Sequence, residues 1–187
     1  MLCLLGAGNV ARADLAIYTD SLASGWQDFS GGLAFYQNTI PVHSGLYSIA
    51  VNTPYSASLW DLFNNNENGF DTSGYSALNF WVYAQSGQLP LVVHGQASWT
   101  IQGSVILDSI VPDTWQEETI PLSALGIANQ SDVTGILIQN VGYNVDASTF
   151  LYLDDISLIS IPEPGTLSFI AMGLAGAYLC RRKTRFQ

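Results

Sequence analysis

Between residues 15 and 159 the chain keeps returning to one pattern: a short run rich in β-branched and aromatic side chains, closed by Gly, Pro, Ser, Asn or Asp. "LAIYT", "YSIAVNT", "ALNFWVYA", "PLVVHG", "GILIQNV" and "FLYLDDISLI" are such runs, and "PVHSG", "NNNENGFDTSG", "QSGQ" and "GIANQSD" are the breaks. Branched and aromatic side chains suit extended backbone, and turn residues at this spacing send the chain back on itself. About ten strands are therefore expected, packed as an antiparallel β-sandwich. No strong helical period precedes Pro162, and "PLSALG" at 121–126 is expected to make one helical turn. About 150 residues of this kind form one domain with enough chain to bury a core.

Alternation along the runs separates two faces. Leu78, Phe80 and Val82 oppose Asn79, Trp81 and Tyr83; Leu89, Leu91 and Val93 oppose Val92, His94 and Gln96; Ile136 and Ile138 oppose Leu137 and Gln139. If the aliphatic sets line the core, Trp81, Tyr83, His94, Gln96 and Gln139 fall on one outer face. Aromatic planes beside amide and imidazole groups suit a sugar, whose C–H faces pack on rings while its hydroxyls need donors and acceptors. Trp60 joins Trp81 and Tyr83 as an aromatic whose substitution tests such binding. The competing reading, favoured by the usual burial of tryptophan, puts Trp81 in the core.

Residues 14–161 hold fourteen acidic side chains and no Lys or Arg. Such a domain repels phosphate backbones and acidic polymers, which excludes nucleic acid and makes uronate-rich glycans poor partners. Neutral polysaccharide, divalent cations or a structural place in a matrix remain. Both cysteines, Cys3 and Cys180, lie near the chain ends, so the domain itself has no disulfide.

The ends carry a different message. "MLCLLGAGNVARA" has an apolar run and then Ala11 and Ala13 at signal-peptidase spacing, so residues 1–13 read as the end of a signal peptide whose start lies upstream. Gly165 to Cys180 is an uncharged apolar stretch, followed by Arg181, Arg182, Lys183 and Arg185. As a helix it spans about 24 Å, less than the roughly 30 Å hydrocarbon core. Snorkelling basic side chains and local thinning cover the difference. One transmembrane helix is expected at about 165–180, with the basic tail cytoplasmic and the sandwich outside. Pro162-Glu163-Pro164, an apolar helix and an Arg-rich end resemble the PEP-CTERM sorting signal of Gram-negative bacteria. That resemblance implies export, transient anchoring in the inner membrane, processing by exosortase and delivery to the cell surface or extracellular matrix.

"YTDSLASGWQDFSGG", "PVHSGLYSIAV", "DTSGYSALNFWVYA", "TWQEETIPLSALG", "VTGILIQN" and "TFLYLDDISL", in this order, resemble the carbohydrate-binding jelly-roll modules attached to bacterial cellulases. The resemblance implies polysaccharide binding through aromatic residues and a structural calcium held at Asp20, Ser44, Gly45 and Asp154, with Asp155 beside it. Calcium also has an argument of its own. A period of two puts Asp154 on the side of Ile156 and Leu158, and a carboxylate facing a core must be paired, protonated or metal-bound. No Lys or Arg is available, whereas a hard oxygen-ligated cation with Asp20 as second ligand fits. The alternative places Asp154 at an exposed sheet end, meeting water or backbone N–H groups.

Catalysis has little to build on. Two histidines, His43 and His94, are too few for a multi-histidine metal site, and the adjacent pairs Glu117-Glu118 and Asp154-Asp155 point to opposite faces of a strand. The sequence is thus read as an exported, non-enzymatic, neutral-glycan-binding sandwich. A structural matrix protein without small ligand and a cryptic glycoside hydrolase are the alternatives.

Overall fold

The computed structural model describes residues 13–30, 34–52, 59–64, 69–85, 90–140 and 150–161, with backbone alone at 59–64 and 140. The signal-peptide segment 1–12 lies outside the described residues, as do the sorting motif Pro162, Glu163 and Pro164, the expected helix, and Arg181, Arg182 and Lys183. Among the described residues no helix is long and apolar enough to cross a membrane.

Among the described residues eleven strands follow one another: β1 (Leu15–Tyr18), β2 (Trp26–Asp28), β3 (Ala34–Asn38), β4 (Ser48–Val51), β5 (Leu59–Asn64), β6 (Tyr75–Ala84), β7 (Leu91–Ala97), β8 (Thr100–Leu107), β9 (Gln116–Pro121), β10 (Val133–Asn140) and β11 (Leu151–Ser160). They form two antiparallel sheets. The first has the order β3-β4-β11-β6-β9 with β1 also on β11, and the second the order β2-β5-β10-β7-β8. All eleven lie within one compact unit, Ala13–Ser160.

The alternation read from the sequence sets the core. Leu78, Phe80 and Val82 of β6, Leu91 and Val93 of β7, and Ile136 and Ile138 of β10 are buried in one cluster between the sheets. "PLSALG" forms consecutive hydrogen-bonded turns, with Ala124 N–H donating to Pro121 O, Gly126 N–H to Ser123 O and Ile127 N–H to Leu122 O. Leu122 and Leu125 from these turns are fully buried. Gly95 and Gly103 make room for them: a Cβ at Gly95 would lie 2.5 Å from Leu125 O, and one at Gly103 2.7 Å from Leu125 C. Only glycine permits so close a backbone approach.

β11 departs from plain alternation. Leu151 and Leu153 face the core, and so do Ile156 and Leu158, which an even period cannot deliver. The cause is a bulge: Asp154 pairs with Trp81 but Ser157 with Asn79, and Asp155 sits at φ 48°. The bulge also divides the strand's other edge, since β4 pairs with Leu151–Leu153 and β1 with Ile156–Leu158. Asp154 therefore shares the outer side of the sheet with Tyr152, opposite its cross-strand neighbour Trp81. The expectation that it faces the core with Ile156 and Leu158 is corrected by this one extra residue.

Candidate functional site

The chain between β3 and β4 folds over the outer side of the first sheet, and short polar contacts fix it there. At its base, Asn38 Nδ2 donates to Pro41 O (3.0 Å) and to Ser48 Oγ (2.8 Å), while Ser48 Oγ donates to Pro41 O (2.6 Å). Farther on, Leu46 N–H and Tyr47 N–H both donate to Asp20 Oδ1, at 2.6 and 2.8 Å. In the middle, His43 N–H and Ser44 N–H donate to Asp154 Oδ2 at 3.0 and 3.2 Å, and Asp155 N–H donates to Asp154 Oδ1 at 2.9 Å. Asp155 in turn holds the side chains, with His43 Nδ1 at 2.8 Å and Ser44 Oγ at 2.9 Å. Gly45 closes the turn at φ +67°, a conformation that suits glycine.

These bonds place the His43 imidazole flat on Trp81, with ring centroids 3.7 Å apart and planes 13° from parallel. From there the aromatic contacts continue across the sheet. His43 meets Trp115 edge-on at 5.7 Å, Trp115 meets Tyr83 at 5.7 Å, and Tyr83 meets Tyr152 at 5.7 Å. Strand register explains the order, because Tyr152 lies opposite both Tyr83 and Ala50, and Ala50 lies opposite Phe35. Cross-strand partners point to the same face, so Phe35, Ala50, Tyr152 and Tyr83 make one row over four strands. Ala50 is the small member of that row. Its lack of bulk leaves an open groove of about 730 Å³ lined by Phe35, Ala50, Phe150 and Tyr152, with Gln37 and Asn38 adding amide groups. Phe35 is 57% exposed.

The residues singled out from the sequence are divided by the topology. Trp81 and Tyr83 lie on the first sheet, half-buried on its outer side, so Trp81 does not fill the core as its residue type suggests. His94 and Gln96 (β7) and Gln139 (β10) lie on the second sheet and face away on the opposite side of the sandwich. His94 Nδ1 pairs with Ser104 Oγ at 2.7 Å, and Gln96 Oε1 accepts from Thr134 Oγ1 at 3.1 Å. The expected single face is thus corrected to two. Alternation tells inner from outer but not which sheet a strand joins. Trp60 lies on β5 of the second sheet with its Cα opposite Ile138, and its side chain lies outside the described residues.

The residues expected at a calcium site are brought together: Asp154 and Asp155 beside Ser44, and Asp20 beside Gly45, where a Cβ would fall 2.5 Å from Asp20 Oδ1. Burial raises the Asp154 carboxyl above the ordinary range, with the Asp155 charge adding to it and the N–H groups of Ser44, His43 and Asp155 opposing it. Burial also raises the Tyr18 hydroxyl, with the charges of Asp154, Asp20 and Asp155 adding to the effect. The oxygens suit a hard cation, but amide donors already engage Asp20 and Asp154. Among the described residues no three His, Cys, Asp or Glu side chains are grouped so as to hold a metal ion. Backbone N–H groups, one of the two meeting partners weighed from the sequence, account for Asp154, although at a fully buried place rather than an exposed sheet end.

Several members of the site escaped the sequence reading. Phe150 and Tyr152 alternate with Leu151 and Leu153, and Trp115 shares the parity of Glu117, which lies opposite Trp81, so a strict count of period two would have found them. His43 gives no such signal, because only the fold of the turn brings it over β6.

Residues 160–183 match the PEP-CTERM protein-sorting motif, a membrane-anchored export and sorting signal. No curated protein matches the chain. Solved structures similar in fold are carbohydrate-binding modules. The family 30 module of a cellulosomal cellulase of Clostridium thermocellum has a TM-score of 0.57 at 18% identity, over 80% of this chain and 98% of that one. The family 11 module of another cellulosomal cellulase of that organism has a TM-score of 0.52 at 16% identity, over 83% and 99%. The xylan-binding domain of a Paenibacillus barcinonensis protein has a TM-score of 0.52 at 10% identity, over 82% and 99%. The fold is therefore that of the carbohydrate-binding jelly-roll modules. The particular chain joins that sandwich to a PEP-CTERM sorting signal.

Proposed function

We propose that this chain is an exported cell-surface or matrix protein whose sandwich binds a neutral polysaccharide without chemistry, on the outer side of the six-stranded sheet. The observation that carries the reading is the row Phe35, Ala50, Tyr152 and Tyr83 with its groove. Ring faces and edges are laid across several strands at about 4.8 Å per strand, which gives a linear sugar chain successive apolar contacts. The family 11 module, similar in fold, has been solved with a mixed-linked β-1,3-1,4 tetrasaccharide. A neutral β-glucan is accordingly the first ligand to try, and the acidic surface argues against polyanions. Carboxylates near the row are committed elsewhere: Asp154 to three amides, Asp155 to His43 and Ser44, and Glu117 to Asn79 at 3.0 Å. That supports a non-catalytic reading. Exosortase and signal peptidase are the processing partners in this proposal, and the inner membrane is a transient one.

A structural calcium ion is a separate part of the proposal. Asp20, Ser44, Gly45, Asp154 and Asp155 would hold it, and it would neutralise a carboxylate cluster in a domain, residues 14–161, that has no Lys or Arg of its own. Chelator should then lower the melting temperature and calcium restore it, whereas an unmoved transition removes the ion from the proposal.

The test of binding is native affinity electrophoresis of the chain, in a zwitterionic detergent, through gels containing β-glucan, xylan or mannan. Retardation in one gel names the ligand class. Uniform migration overturns binding and leaves a structural matrix component, while release of reducing sugar from any gel polymer would make the protein a hydrolase.

A further inference from the structure

Trp81 is the largest aromatic side chain on the outer side of β6, yet a residue of the same chain already lies on it. His43 is stacked at 3.7 Å and nearly parallel, which is how a sugar ring would use an indole face. The stacking is not a loose contact. The His43 backbone is tied to Asp154 and its Nδ1 to Asp155, while both ends of the turn are held by Asn38, Ser48 and Asp20. The His43 side chain is 26% exposed, so it lies between Trp81 and solvent. On the other side of Tyr83 no such cap exists among the described residues, and the row runs on into the open groove at Phe35 and Phe150.

Resting on the glycan-binding reading above, we infer that His43 is a built-in stop that keeps a polysaccharide from extending beyond the aromatic row onto Trp81. Register sets Trp81 two residues along β6 from Tyr83, in the row of Asp154 and Glu117 rather than that of Tyr152, so His43 covers the aromatic face that a chain turning off the row at Tyr83 would meet next, and limits the length of chain the protein recognises. His43 is a specificity-determining residue, and Trp81 is a platform held in reserve rather than a contact. The prediction runs against the ordinary expectation for an exposed tryptophan on a sugar-binding face, since removal of Trp81 alone leaves binding unchanged.

The experiment is a double-mutant cycle read by affinity for a ladder of β-glucan oligosaccharides, with the full chain in a zwitterionic detergent. In the wild type, affinity stops rising once the oligosaccharide fills the row from Phe35 to Tyr83. His43→Ala uncovers the indole, so affinity continues to rise for longer oligosaccharides, by about three- to tenfold. Trp81→Ala has little effect by itself and abolishes that gain when combined with His43→Ala. His43→Phe keeps a ring on Trp81 and loses the Asp155 contact, so it matches the wild type. His43→Gln, which can still reach Asp155, uncovers Trp81 if His43→Ala fails to fold.

The inference is overturned if His43→Ala weakens binding, leaves the length dependence unchanged, or if Trp81→Ala alone costs as much as Phe35→Ala. In those cases the histidine and tryptophan act together as part of the platform or play no part in it. A wild type that binds no oligosaccharide at all would instead remove the glycan-binding reading, and this inference with it.

Discussion

Asp14 Oδ1 accepts a hydrogen bond from the backbone N–H of Ser160 at 2.7 Å, joining the start of the sandwich to the end of its last strand. That bond lowers the Asp14 carboxyl below its ordinary value of 3.8. A carboxylate whose pKa is lower when folded adds stability above its unfolded pKa and loses it as pH falls through the folded value. Asp14→Asn should therefore melt below the wild type at about pH 6, and the two should converge as pH falls below the lowered folded value of the Asp14 carboxyl. Calorimetry across that range checks it, and a gap independent of pH would show that the carboxylate charge is irrelevant.

Binding should distinguish the two outer faces. Phe35→Ala and Tyr83→Ala, on the first sheet, are expected to weaken retention in a β-glucan gel by about three- to tenfold each, the value of one aromatic contact. His94→Ala and Gln96→Ala, on the second sheet, should migrate like the wild type. The reverse pattern would move the binding surface to the other side of the sandwich.

Thr72 offers a test of the loops that close one end. Its fully buried hydroxyl lies 2.6 Å from Ile127 O and 3.1 Å from Gln130 O, and it accepts from Gln130 N–H. Thr72→Val keeps the shape and orphans these groups, at a cost of about 1–3 kcal/mol. Denaturant melts should show a lower midpoint at constant slope. An unchanged midpoint would mean that water replaces the hydroxyl.

Gly45→Ala should loosen the turn over Trp81. Its φ of +67° is strained for alanine, and the added Cβ would meet Asp20 Oδ1 at 2.5 Å, so a loss of about 1–3 kcal/mol is expected. Equilibrium unfolding measures it; a neutral outcome would show that the Asp20 side chain can swing away while the turn survives.

Much of the fold was legible because β6 displays a clean two-residue period that burial follows through Leu78, Phe80 and Val82, whereas Leu91–Val93 of β7 and Ile136–Ile138 of β10 are continuous apolar runs buried throughout. The site was legible only in part. Alternation puts Trp81 and Tyr83 on the outer side, against the core position that the residue type favours for Trp81, but His94 and Gln96 look the same in sequence and belong to the other sheet, because pairing between distant strands leaves no local trace. His43 was invisible for a related reason: its contact with Trp81 depends on amide donors from a turn reaching a carboxylate more than a hundred residues away. Asp154 was misplaced by a single position, since periodicity assumes an uninterrupted ladder.

That single position has its own consequence. Without Asp155, β11 would alternate evenly, with Leu151, Leu153, Ile156 and Leu158 still inward and Tyr152 and Asp154 still outward. The extra residue leaves the alternation of the flanking positions unchanged, so the hydrophobic core places no demand on it, while its carboxylate holds His43 and Ser44. A strand that has absorbed an insertion in this way gains an anchor for a distant loop while its packing is left unaltered. In such a sandwich, recognition can be remodelled by adding or deleting one residue at the bulge, independently of the sequence that makes the protein fold.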